Sequence, residues 1–384
     1  MIRLRIGIAT NGRFHVLDLA RELLSLGHDV RFYSCVPPWR LSRFGLPLGA
    51  ARTLLPYVLP TMARRQIGLY RGADALLPDY FSALNLAVVR KLEPCDVFIF
   101  MSGMFLEAAE FARREHGSKI WIERGSCHIT TQQEILRDIP GAELPHRLVV
   151  DRELAGYALA DRISVPSTHV AESFQADPSL YAKLIRNPYG VDLSAFPRCA
   201  PRPVGMLFRL VFAGTWSWRK GCDILTEAIK QVGDAQLVHV GSIGDLSFPA
   251  DNARFLHVGP VDQLSLTRYY ADADAFVLAS REEGLSLVQA QALATGLPLI
   301  CTDRTGGADL AHTPSLLGRI FVVPHGNPEA LASAMLRVRD RLRGGPPFPP
   351  ISDDDRQALS WRAYGRRYSD ALLRNVPQQA AGTA

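Results

Sequence analysis

Short runs of apolar and β-branched residues alternate with longer amphipathic stretches, and this alternation occurs twice along the chain. The runs at 2–9, 30–34, 97–101, 120–123 and 163–166 form one set. Those at 210–214, 237–241, 255–259, 275–279, 297–301 and 320–323 form a second. Runs that are apolar throughout suit strands buried on both faces, as in parallel sheets. The stretches 14–26, 104–116, 221–232, 287–295 and 328–343 carry helical periodicity between them. Alternation of this kind predicts an α/β chain. Two sets predict two doubly wound, Rossmann-like domains that face each other across a central cleft at their strand C-terminal ends. The 384 residues exceed what one ordinary core organises.

The sets are separated at Pro197, Pro201 and Pro203, a linker composition. The expected domains are 1–198 and 206–350, the second ending in the proline cluster 344–350. The tail, 353–376, reads as one long helix containing Trp361, Tyr364 and Tyr368, packing back on the first domain. No tandem repeat is present.

Composition removes several function classes. Hydrophobic residues make up 47% and charged residues 21%, a globular balance. The net charge of +5 is too weak a surplus to point to nucleic acid. No run reaches the roughly 18 apolar residues of a membrane span. The first residues lack a signal-peptide layout, so the expected location is the cytoplasm. The six cysteines are scattered without C-x-x-C spacing, which suggests neither zinc nor a disulfide framework.

Three segments of the second domain converge on phosphate chemistry. Gly214 ends a strand and is followed by Arg219, Lys220 and a helix. Arg offers a fork and Lys a point charge to a phosphate. A cation at a helix N-terminus is otherwise misplaced, unless the loop is simply solvated. Next, Glu283, Gly284, Leu285 and Ser286 lead into a helix that starts at Leu287. Its first amides can point at an anion, or Ser286 can be an ordinary cap. Finally, Gly306 and Gly307 follow another strand, either as a plain turn or as a close approach to a ligand.

Together the segments FAGTWSWRKGCDILTEAI, FLHVGPVDQ, ADAFVLASREEGLSLVQAQALATGLPLICTDRTGG and NPYGVDLSAF resemble the retaining glycosyltransferases of family 4, which have the GT-B fold. The resemblance is good over 210–323. It is weak in the first domain, at Asn11, Gly12, 123–128 and 166–190. It implies sugar transfer from a nucleotide sugar with retention at the anomeric carbon, and no cofactor or metal. By this resemblance Lys220 meets the donor diphosphate and Glu283 holds donor-sugar hydroxyls. Gln291 stands where the family grips the ribose with an acid. Thr215 stands where the family has an arginine, whose role Arg219 could cover. Gly259 and Val261 belong to the loop that meets the nucleobase, and Gly12 to a glycine-rich loop near the phosphate. Arg124 occupies the place of a family histidine. His128, four residues on, is either functional or a satisfied structural histidine.

Asp272 and Asp274 imitate a D-x-D metal site, but they precede a strand and read as helix-end and strand-start residues. The stretch 30–73 contains no acid and seven arginines: Arg31, Arg40, Arg43, Arg52, Arg64, Arg65 and Arg71. It reads as a buried helical insertion, or as a face for a membrane or a phosphate-bearing acceptor. The expectation is a metal-independent hexosyltransferase acting on a glycan or lipid-linked acceptor, with a peripheral contact on the inner membrane face if the second reading holds. A nucleotide-sugar epimerase of the same fold and a non-catalytic nucleotide-sugar-binding subunit are the rivals.

Overall fold

The structure is a computed structural model and describes residues 2–66, 74–203, 205, 207–311 and 313–376. Its first domain is built on strands β1 (Arg5–Thr10), β2 (Asp29–Ser34), β3 (Ala51–Thr53), β4 (Val97–Met101), β5 (Lys119–Glu123), β6 (Arg162–Val165) and β7 (Leu184–Arg186). Among the described residues they form one sheet in the order β3-β2-β1-β4-β5-β6-β7, every pair parallel. The second domain has β8 (Phe208–Ala213), β9 (Ala235–Val240), β10 (Phe255–His257), β11 (Ala275–Leu278), β12 (Leu299–Thr302) and β13 (Ile320–Val323). These pair in parallel in the order β10-β9-β8-β11-β12-β13.

Both sheets reverse direction of winding once, between β1 and β4 and between β8 and β11. Crevices open at such switch points, beyond the carboxyl ends of the strands. The apolar runs are strands because both sheet faces are covered: Ile6, Ile8, Phe98, Ile99, Leu210, Val211, Phe276 and Val277 are buried.

The structure departs from the sequence expectation in the first domain, which adds helices Leu55–Gln66, Leu77–Lys91, Ile129–Arg137 and Arg147–Leu159, at its edge strands, and in the tail. The edge strands β3 and β7 are three residues each and carry no apolar run. The tail is two helices, Asp353–Ala358 and Trp361–Asn375. The break at Leu359 and Ser360 has a cause. The Ser360 hydroxyl accepts from Ala363 N at 3.1 Å and caps a new helix, while Val191 N donates to Leu359 O at 2.8 Å and Trp361 N to Val191 O at 3.2 Å. Helix Trp361–Asn375 lies against Phe14–Ser25 of the first domain, where Gly365 meets Glu22.

In the acid-free stretch, Arg31 and Arg52 converge on Glu93 at 2.7 and 2.6 Å and are internal to the domain. Arg40, Arg43 and Arg64 are exposed, together with Trp39, Leu48, Leu59 and Met62. Arg71 and the side chain of Arg65 lie outside the described residues.

Candidate active site

The cleft is lined by the turns that leave the strands at their carboxyl ends. Gly221 follows the turn after β8 with φ +66°; a Cβ there would fall 2.0 Å from Ala279 O. Only glycine permits that approach. It carries Lys220 alongside the turn after β11, where Lys220 Nζ donates to Glu283 Oε2. Arg219 donates from Nε to Glu282 Oε2 at 2.9 Å and from Nη2 to the same oxygen at 2.8 Å. Successive residues of an extended turn point to opposite sides. Glu282 is therefore buried while Glu283 faces the cleft.

Burial, then the neighbouring Arg219, lowers the Lys220 ammonium to about 8, against the pull of Glu282 in the other direction. Thr215 carries no charge and meets Ser242 Oγ at 3.2 Å. The Arg219 charge, the candidate replacement for an arginine there, is already engaged by Glu282.

Helix Leu287–Thr295 starts at Ser286, whose φ and ψ are those of a cap but whose side chain makes no cap hydrogen bond. Gln289 N turns back to Ser286 O at 3.1 Å, which leaves the amides of Leu287 and Val288 to another acceptor. Leu285 is buried. Gln291 is buried one turn into the helix, and its Oε1 accepts from Tyr270 Oη at 3.3 Å. Its amide is thus engaged with the core.

Gly214 has φ +148°, and its carbonyl accepts from His239 Nε2 at 2.9 Å. Gly241 stands beside it; a Cβ there would sit 2.0 Å from Gly214 O. Gly259 (φ +82°) accepts from Gly241 N at 3.0 Å and faces open space, with Val261 half-buried behind it. These glycines form a continuous backbone ledge beyond β8, β9 and β10.

The first domain approaches the second most tightly at Gly284, with Thr168 and Arg186 also meeting Asp309. A Cβ on Gly284 would lie 1.7 Å from Gly125 O. Ser167 Oγ donates to Gly284 O at 2.8 Å, and His169 Nε2 donates to Glu283 O at 2.6 Å. Burial lowers the His169 pKa, which keeps the imidazole neutral as that donor. At the other rim Arg13 Nη2 reaches Gln263 Oε1 at 3.3 Å. Gly12 lies beside Arg13, its carbonyl accepting from Ser34 Oγ at 2.9 Å.

His128 is the cap of helix Ile129–Arg137 and rests on Tyr157 and Phe174 at 5.0 and 4.8 Å. Burial and Arg124 lower its pKa. Arg124 is buried, donating to Cys127 O, to Gln132 Oε1 at 2.8 Å and to Glu153 Oε1 at 3.0 Å. Gln132 Nε2 reaches Glu282 Oε1 at 3.4 Å. A polar chain thus runs from the partly exposed Arg219 through buried Glu282, half-buried Gln132 and buried Arg124 to Glu153, across the cleft. Of this chain, the sequence singled out only Arg219 and Arg124. The adjacent acids Glu282 and Glu283 before a glycine are the local signal for its second member.

Asp272 and Asp274 lie at the opposite, amino-terminal end of the strands of the second sheet, just before β11. Asp272 pairs with Arg209, and Asp274 with Arg202 at 2.9 Å. Among the described residues, no group of three or more His, Cys, Asp or Glu is arranged to hold a metal. No described helix is long and apolar enough to cross a membrane.

Residues 208–341 match the family described as glycosyl transferases group 1. A GDP-mannose-dependent alpha-mannosyltransferase of Mycobacterium tuberculosis is 31% identical over 195 residues, 46% of this chain and 48% of that protein. A putative teichuronic acid biosynthesis glycosyltransferase of Bacillus subtilis, TuaC, is 34% identical over 131 residues, 33% of this chain and 32% of that protein. The matches thus span about half and about a third of these relatives. The sucrose-phosphate synthase of Thermosynechococcus elongatus superposes with a TM-score of 0.70 at 19% identity, covering 96% of this chain and 98% of that one. Anabaena HepE, solved with UDP-glucose, gives 0.65 at 12% identity, covering 97% and 100%. At such identities these likenesses speak for the fold alone, and the fold is GT-B. Two parallel sheets meeting at a cleft give this chain the GT-B fold, and within it residues 208–341 are similar to the glycosyl transferases group 1.

Proposed function

We propose that the protein transfers a hexosyl group from a nucleoside diphosphate sugar to an acceptor held by the first domain, with retention and without a metal. The observation that carries this reading is the contact of Lys220 with Glu283 at the strand ends, opposite the Gly284–Gly125 approach. A diphosphate draws Lys220 to itself and frees Glu283 to accept from sugar hydroxyls. The uncapped start of helix Leu287–Thr295 supplies amides and a dipole to the same anion. Together these groups stabilise charge that grows as the diphosphate leaves. The acceptor hydroxyl attacks on the face from which the diphosphate departs, and the leaving phosphate oxygen takes its proton. No protein nucleophile is then needed. The epimerase and binding-subunit readings are not favoured, since both named relatives are described as transferases.

The donor is tested by thermal shift with GDP-mannose, UDP-glucose and ADP-glucose, because a ligand of the folded state raises Tm. Stabilisation by one of them, followed by its slow hydrolysis, supports the reading. No stabilisation by any of the three counts against it. Activity unchanged by EDTA is expected, since Asp272 and Asp274 are occupied by arginines at the strand ends away from the cleft.

For the acceptor, the exposed Arg40, Arg43 and Arg64 among Trp39, Leu59 and Met62 support a lipid-linked substrate at an anionic membrane surface. Arg43 lies 4.9 Å from the centre of the Trp39 ring. Replacing Arg40 and Arg43 by Glu should sharply reduce co-sedimentation with anionic vesicles at low salt while leaving Tm unchanged. Equal sedimentation would remove the membrane from this reading.

A further inference from the structure

At the amino-terminal end of the second sheet, away from the cleft, a cavity of about 410 Å³ opens where β8, β11, β12 and β13 begin. The linker around Leu207 closes one side and the segment around Phe348 the other. Leu207, Phe208, Leu297, Pro298 and Leu342 make its apolar walls. Five arginines line it against one acid, Asp274. A volume of this size suits a small organic ligand.

Three of the arginines have carboxylate partners. Arg202 pairs with Asp274, and Arg339 and Arg343 meet at Asp234 at 2.8 and 2.6 Å. Arg319 and Arg341 have none among the described residues. Both guanidiniums approach one ring, Phe348, at 5.2 and 4.2 Å. Their hydrogen bonds go to backbone carbonyls: Arg319 to Gly296 and Pro349, Arg341 to Pro346, Pro347 and Gly318. Carbonyls satisfy donors but do not neutralise charge. The Arg319 Nε–H is buried and has no acceptor among the described residues. Burial and the charge of Arg341 both disfavour the cationic form of Arg319, yet a guanidinium does not shed its proton in proteins. Ordering the proline-rich segment explains the carbonyl bonds. It does not explain two uncompensated like charges beside an apolar chamber, nor the orphaned Nε–H.

We propose that this cavity is a second ligand site, separate from the cleft, for a phosphate monoester carried on an apolar body. A monoester has about −1.5 to −2 charges at neutral pH, which matches the two unpaired guanidiniums. Its oxygens accept from arginine forks, and its body fills the walls.

The test uses the full chain and three probes: hexyl phosphate, inorganic phosphate and hexanol. Hexyl phosphate should bind and raise Tm. Inorganic phosphate should bind at least tenfold more weakly, and hexanol should leave Tm unchanged. Lys220→Ala should retain hexyl phosphate binding, which separates this site from the cleft. The double change Arg319→Gln with Arg341→Gln should weaken it tenfold or more. Should that variant not fold, Leu207→Trp places a reporter at the mouth, where Leu207 is 45% exposed. Its fluorescence should then titrate saturably with hexyl phosphate in the Lys220→Ala background. Absence of binding at millimolar hexyl phosphate overturns the proposal. So does binding that survives the double change or disappears with Lys220→Ala. Equal affinity for inorganic phosphate overturns the apolar body, and with it the ligand class.

Discussion

At Lys220 two effects compete for one proton. Burial and Arg219 push it off, and acids nearby hold it, leaving the group at about 8. An exposed lysine titrates near 10.4. Below about pH 8 the amine is charged in both the folded and unfolded chains, so the cost of its burial is fully present. Between the two values the unfolded chain binds more protons, and stability rises with pH. A reaction that needs the ammonium runs the other way. The expected outcome is that kcat/KM falls above about pH 8 while the Tm advantage of Lys220→Met over wild type shrinks toward pH 10. Parallel pH profiles of rate and Tm check both directions. Lys220→Ala should lower kcat by two to three orders of magnitude, about 2–4 kcal/mol, with a Tm change too small to explain it. Full activity in a folded Lys220→Ala protein would remove the diphosphate role. Glu283→Gln should raise the KM for the sugar nucleotide and leave affinity for the bare diphosphate within a few-fold, as measured by calorimetry. Equal losses in both would place Glu283 elsewhere.

The turns do at the level of elements what single charges cannot. Gly284 allows the turn after β11 to touch the backbone of the turn after β5. Gly284→Ala puts a methyl group where Gly125 O stands, so the domains must part. Turnover should fall at least a hundredfold while diphosphate binding survives, and small-angle scattering should register a larger radius of gyration. An unchanged radius with full activity would show that the domains need not meet there. The apolar strands, the helices 14–26, 104–116, 221–232, 287–295 and 328–343 and the glycine-bearing turns after β8 and β11 were legible in the sequence because each rests on local signals, whereas helices Leu55–Gln66, Leu77–Lys91, Ile129–Arg137 and Arg147–Leu159 were not. The edge strands β3 and β7 were not, since three residues carry no period. Nor was the chain of contacts from Glu282 to Glu153, whose members come from both domains and meet only after folding. Gln291 matched a family position by spacing, yet its amide is turned to Tyr270, a contact set by tertiary packing. The tail broke at Ser360 because a residue 169 positions earlier, Val191, pairs with the backbone there.

On the scale of the whole molecule, the last helix belongs to the first domain. Tyr368 donates to Glu123 Oε1 at 2.6 Å, while His15 meets the other carboxylate oxygen at 2.8 Å. His28 and Ser369 meet at 2.8 Å. Removing the hydroxyl in Tyr368→Phe leaves one buried carboxylate oxygen without its donor, a loss of about 1–3 kcal/mol. Urea unfolding should show that loss in the first domain's transition, and an unchanged midpoint would mean the hydroxyl is replaced by another donor. The same crossing has a consequence during synthesis. A ribosome delivers the first sheet long before it delivers Tyr364 and Tyr368, which that domain buries. The second domain has all its strands by β13 and can fold as a unit while still tethered. The first domain is therefore completed only after the strands of the second domain are made, and until helix Trp361–Asn375 emerges the face of helix Phe14–Ser25 awaiting it is open to chaperones.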